Sequence, residues 1–161
     1  MLVLPEIGFH NRLAVRIGFI AALAAIFVNL VPLPLPYPRL VIGFIAAGFF
    51  AVFLYSRRTG QTLSVRGGAR LGWITGIFSF AMSVVFFTMA VIGVSNQGGL
   101  AKSIESQFPP DDARRQMLAQ MLNDPANLAA LVLFSLIALF VILTALPIIG
   151  GALGAKVLAK E

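Results

Sequence analysis

One histidine, six carboxylates and no cysteine are all that this chain of 161 residues offers for acid–base or metal chemistry, and none of them lies in its four long apolar stretches. Without cysteine there is no thiol nucleophile, no thiolate metal site and no disulfide. A single imidazole, His10, falls short of a zinc ligand set. It sits in EIGFHNR at the edge of the first apolar stretch and reads as a polar interfacial residue. The alternative, ligation of a metal or pigment supplied by a partner, lacks every other ligand. Ser79, Ser83, Thr88, Ser135 and Thr144 place hydroxyls within apolar stretches. Such hydroxyls bond back to their own helix, and no base stands at a spacing that would activate one. An intramembrane hydrolase needs a Ser, Asp or His-Glu constellation, and a proton-coupled exporter needs a carboxylate inside the membrane; neither pattern is present. The expectation is no catalytic residue, no cofactor and no metal, and therefore not an enzyme.

The elements carrying these residues are built for a bilayer. Hydrophobic residues make up 59% of the chain and charged ones 11%, where a soluble domain has about a quarter charged. The apolar runs predict transmembrane helices over 13–31, 38–55, 71–94 and 128–149. At about 1.5 Å per residue each comes close to or exceeds a hydrocarbon core of roughly 30 Å. The expected fold is all-α: a polytopic bundle of four transmembrane helices, forming one membrane domain over 1–161. The first run is too long for the core of a cleavable signal peptide and has no small-x-small site after it, so it is read as a span. PLPLPYP after it is a stiff hairpin linker, because each proline removes a donor and restricts its neighbour. Ser64 is expected to cap the third helix ahead of its apolar run, and Asp124-Pro125 to open the fourth. Pro147 is expected to kink the last turn of the fourth span, and Gly150, Gly151 and Gly154 read as its terminator.

The loop between the third and fourth spans, 95–126, is the one sizeable polar segment. Gly98-Gly99 ends the third helix and Pro109-Pro110 divides the rest of the loop, a pattern that predicts two short amphipathic helices. Leu100, Ile104 and Phe108 form the apolar stripe of one; Met117, Leu118, Met121 and Leu122 form that of the other. They are expected to lie on the bilayer surface or over the end of the bundle. This is the surface offered to a partner protein, or alternatively a lid over the outer helix ends.

Basic residues set the orientation. With the N-terminus inside, the cytoplasmic side holds eight: Arg12, Arg16, Arg57, Arg58, Arg66, Arg70, Lys156 and Lys160. The outer side holds four: Arg39, Lys102, Arg114 and Arg115. Both termini are therefore expected in the cytoplasm. The net charge of +6 reflects this flank rather than nucleic-acid binding. Arg57, Arg58, Arg66 and Arg70, with Trp73 one turn further in, form an anchor for lipid headgroups at the cytoplasmic face.

The sharpest motif is Gly68, Gly72 and Gly76, three glycines at four-residue spacing, continued by the small residues Ser79 and Ser83. Such a glycine-zipper face lets another backbone approach closely. Gly43, Ala47 and Ala51 on the second span offer a matching groove, as do Gly18, Ala22, Ala25 and Asn29 on the first. With two such grooves in the same chain, packing within the chain is favoured over packing against a second protein.

The segment YSRRTGQTLSVRGGARLGWITG, 55–76, resembles one in small four-helix bacterial inner-membrane proteins of unknown function, and the loop DDARRQMLAQMLNDPANLAAL is similar in layout. In some of these a short zinc ribbon precedes a similar membrane half; this chain has no cysteine, so no metal role carries over. The resemblance implies the membrane fold and a bacterial inner membrane, and brings no catalytic residues. The function expected is that of a non-catalytic membrane subunit or scaffold, an accessory subunit. Its partners would be the lipid bilayer and a larger membrane complex or further copies of itself, not nucleic acid. The alternative is a small transporter or channel for a neutral or lipophilic solute, with Asn29, Ser79 and Ser83 as the only polar lining.

Overall fold

The computed structural model describes residues 7–30, 38–95 and 124–159. Among them the chain forms four α-helices: α1 (Arg12–Leu30), α2 (Pro38–Thr59), α3 (Val65–Ser95) and α4 (Pro125–Leu158). All four are long and apolar enough to cross a membrane. The two short helices expected over 99–122 lie outside the described residues and are not borne out by them.

α1 matches its expected span to within a residue at each end, while α2, α3 and α4 run longer than the apolar stretches that predicted them. Hydropathy drops at a charge, but the backbone ladder does not. α2 continues past Tyr55 through Ser56, Arg57 and Arg58 and stops at Thr59. There Thr59 Oγ1 donates to the Tyr55 carbonyl at 2.8 Å, and Gly60 takes φ of 66°, the left-handed exit that glycine permits. Arg57 and Arg58 in this last turn complement the negative end of the helix dipole. α3 starts at Val65 because Ser64 caps it: the Gly67 N–H donates to Ser64 Oγ at 3.1 Å. Asp124 caps α4 in the same way, accepting from the Ala126 N–H at 2.9 Å, with Pro125 in the first turn. At its other end α4 does not stop at Gly150, Gly151 and Gly154; it runs through them to Leu158. Those glycines are interior positions rather than a terminator.

The chain divides into two compact units. The first comprises Met1–Met82 and Phe140–Glu161. Its core gathers Ile7, Ala14, Ile17 and Ala21 with Ala51, Val52 and Tyr55 of α2, Leu71 and Ile74 of α3, and Ala155 of α4. Most of these are small or branched, which lets the helices lie close. Edge-to-face rings tie the margins: Phe19 with Phe78 at 5.5 Å and Phe80 with Phe140 at 5.1 Å. The second unit is Ser83–Leu139. Its described residues belong to the C-terminal part of α3 and the N-terminal part of α4, and none of those whose side chains are described is buried. Phe86, Phe87, Met89, Leu133, Phe134 and Ile137 are each more than half exposed.

Candidate functional site

The first unit holds two arrangements: a backbone junction made by glycines and a basic end with a cavity in it. The junction is centred on one turn of α4. A Cβ added to Gly72 of α3 would collide with the Pro147 carbonyl oxygen and lie 2.9 Å from Ile148 Cα. A Cβ on Gly48 of α2 would strike the same oxygen and lie 2.8 Å from the Gly151 nitrogen. Thus α2 and α3 both close on the 147–151 turn, and each does so through a glycine. The contact extends both ways along α3. Gly68 lies against the Gly151 carbonyl and Ala155 Cβ; at Gly76 a Cβ would be 2.7 Å from Thr144 Cα and 2.9 Å from the Leu143 carbonyl oxygen. Pro147 has no N–H, so that Leu143 oxygen lacks its usual helical donor, and the Gly76 backbone covers it instead. On the α2 side Gly150 lies against the Ile45 carbonyl, and Gly154 against Phe49.

The glycines of α3 therefore meet α4, not the grooves of the first two spans. Gly43 faces α1 instead, where a Cβ would lie 3.0 Å from Asn29 Nδ2. Ala47 and Ala51 are buried. Gly18 of α1 does approach α3, with a Cβ 2.8 Å from Ile74 Cγ2. Of the polar residues in this face, Ser79 is fully buried and donates to the Thr75 carbonyl at 2.9 Å. Ser83 falls in the second unit and is half-buried. Sequence reasoning missed Gly48, because Gly43 and Gly48 are five apart and break a four-residue ladder. It also missed the role of Gly150 and Gly151, whose place near a span end mimics a helix stop.

The basic end is assembled by contacts between helix termini. Asn11 caps α1, its Oδ1 accepting from Leu13 and Ala14 N–H at 3.1 and 3.2 Å. Its Nδ2 also donates to the Tyr55 hydroxyl at 3.3 Å, which sets the start of α1 beside the end of α2. Ile7 packs near Gly67 at the start of α3, and Gly68 near Ala155 at the end of α4. Arg12, Arg16, Arg57, Arg58, Arg66, Arg70 and Lys156 consequently share one end of the unit, all exposed. No Asp or Glu occurs among the described residues of this unit. The Arg57 guanidinium stands 5.9 Å from the Phe53 ring centre. Removing the cap tests how this end is held: Asn11→Ala loses both cap bonds and the Tyr55 contact. It is expected to destabilise the protein by about 1–2 kcal/mol, read from denaturant unfolding in detergent.

A cavity of about 490 Å³ opens in this end, between the turn Ile7–His10 and the residues Arg70, Trp73 and Ile74 of α3. The turn is fixed by the Asn11 N–H donating to the Gly8 carbonyl at 3.0 Å. Trp73 is 38% exposed and packs edge-to-face on Phe140 at 6.2 Å. His10 is exposed, and no group of three or more metal-ligating side chains occurs among the described residues. A second groove of about 680 Å³, lined by apolar residues, runs between α1 and α2, with Ala21, Ala25, Gly43 and Ala47 in its wall. The expected partner surface, Leu100, Ile104, Phe108, Met117, Leu118 and Met121, lies outside the described residues.

Comparison with protein families, with curated proteins and with solved structures finds no match to this chain. What stands is a class: an all-helical protein with four candidate membrane spans.

Proposed function

We propose that the protein is a non-catalytic subunit or scaffold of a membrane assembly. The observation that carries this reading is the second unit: two long apolar helix segments with no buried residue among those described. Such a surface needs acyl chains or other membrane helices around it. The glycine junction supports the same reading, since it makes the first unit a packed body from which those segments continue. We place the protein in a bacterial inner membrane, a placement that rests on the resemblance of residues 55–76. The shared basic end supports cytoplasmic termini. The glycine face of α3 then acts as a zipper within the chain, against α4. The polar loop 95–126 is the surface for a partner outside the bilayer. The competing reading, a path for a neutral solute, has little to line it. The hydroxyls of Thr75, Ser79 and Thr144 donate to carbonyls of their own helices, and none of the three lines either cavity.

Purification from native membranes in a mild detergent tests the subunit reading. A defined second membrane protein in constant ratio is expected, and a solitary monomer would count against it. Deleting 100–122 and bridging with a short Gly-Ser linker separates docking from lid. Loss of the partner with the fold intact is expected; unchanged association leaves only the lid.

A further inference from the structure

We infer that the shared basic end is a docking surface for anionic phospholipid headgroups, spread over the ends of all four helices. This rests on the proposed reading of that end as a membrane interface. Arg12 and Arg16 stand one turn apart at the start of α1, and Arg57 and Arg58 in the last turn of α2. Arg66 lies in the first turn of α3 and Lys156 in the last turn of α4. All six are exposed. Among the described residues, none of Arg12, Arg16, Arg58, Arg66 and Lys156 makes an ion pair or a side-chain hydrogen bond. Arg70 has an interaction of its own, and the surface does not depend on it. Two acidic side chains, Glu6 and Glu161, lie in the chain segments next to these helix ends, against eight basic ones. A positive excess therefore remains even with both carboxylates paired. Such an excess suits an acidic protein segment or an anionic lipid, and the side chains between the cations decide for lipid. Phe53 lies under the Arg57 guanidinium, 5.9 Å from ring centre to charge. Phe53, Leu153 and Val157 on either side of Lys156, and Val65 next to Arg66 are all exposed. Cations on long stems beside apolar groups put the charge at the headgroups and the apolar parts among acyl chains. An acidic protein segment would use the charges and leave the apolar groups in water.

Trp73, the chain's only tryptophan, is exposed and reads the lipid beside this end. It follows Arg66 by seven residues, about 10 Å further along α3 and on the same helix face. The protein is reconstituted in vesicles of phosphatidylcholine and phosphatidylglycerol, with acyl-chain bromine carried by one lipid or the other at equal mole fraction. Both leaflets have one composition, so the orientation of the protein does not affect the reading. In low salt, brominated phosphatidylglycerol is expected to quench with an apparent affinity about fivefold above brominated phosphatidylcholine, the ~1 kcal/mol of one cation near an anionic lipid. At about 1 M salt, where charges are screened within roughly 3 Å, the ratio should approach one. The triple variant Arg57→Gln/Arg58→Gln/Arg66→Gln should lose most of the preference, and Arg57→Lys/Arg58→Lys/Arg66→Lys should keep it. A wild-type ratio of one in low salt overturns the surface, as does a preference that neither salt nor the glutamine triple reduces. Inorganic phosphate at matched ionic strength should leave the ratio unchanged, and its collapse would make this a free-anion site. A soluble glutamate oligomer that binds the protein in phosphatidylcholine vesicles, with no preference for phosphatidylglycerol, would give the surface to an acidic partner instead. If neither brominated lipid quenches Trp73, the interface reading itself fails; equal quenching by both removes the lipid preference alone.

Discussion

Gly72→Ala should cost the fold about 3 kcal/mol, and Gly72→Leu enough to prevent recovery of folded protein. An added Cβ there meets the Pro147 carbonyl oxygen and the Ile148 Cα. These are backbone atoms of a helix, so no side-chain rotation makes room. Overpacking typically costs about 1–3 kcal/mol when neighbours can shift, and this site lies at the upper end because α2 presses on the same turn through Gly48. The control is Gly93, also in α3, where a Cβ would meet nothing within 4 Å. There alanine is expected to be neutral or stabilising by up to about 1 kcal/mol, the ordinary helix preference over glycine. Unfolding of both variants in mixed detergent micelles reads the contrast. Equal behaviour of the two positions would show that the junction is not a close backbone contact.

The second large effect concerns orientation. Replacing Arg57, Arg58, Arg66 and Arg70 by glutamine reduces the inner basic set from eight to four, equal to the four outside. Insertion follows the difference in lysine and arginine near the span ends. The variant should therefore lose its single orientation and distribute to about equal populations. The readout is the accessibility of a cysteine placed at position 61 in the cysteine-free chain. Retention of one orientation would mean that something other than these arginines sets it.

The four long apolar helices, candidates to cross a membrane, were legible because apolar runs of that length read as continuous helix. Their ends were not. α2 continues through two arginines to a left-handed glycine, and α4 passes through three glycines near the edge of its apolar run. A glycine in that place has two physical readings, a helix exit or a site of close approach, and only the neighbouring helix decides between them. The glycine face of α3 was likewise readable from spacing, but its partner was not. The small-residue grooves of the first two spans look equivalent to it in sequence, whereas the turn that fits is built around Pro147, a residue read as a kink. The arginines were visible as a cluster in the sequence, with Trp73 one turn beyond Arg70. The cavity beside them was hidden, because the turn that forms its other wall meets α3 through Ile7 beside Gly67, a contact between distant parts of the sequence.

Whether the four apolar helices cross a membrane with their shared basic end in the cytoplasm is tested most directly by single cysteines at positions 61 and 107. Each is labelled in intact cells by a membrane-impermeant maleimide. The cysteine at 107 is expected to react in intact cells, and the one at 61 only after the membrane is opened. Labelling at 61 from outside, with protection at 107, would contradict the proposed orientation.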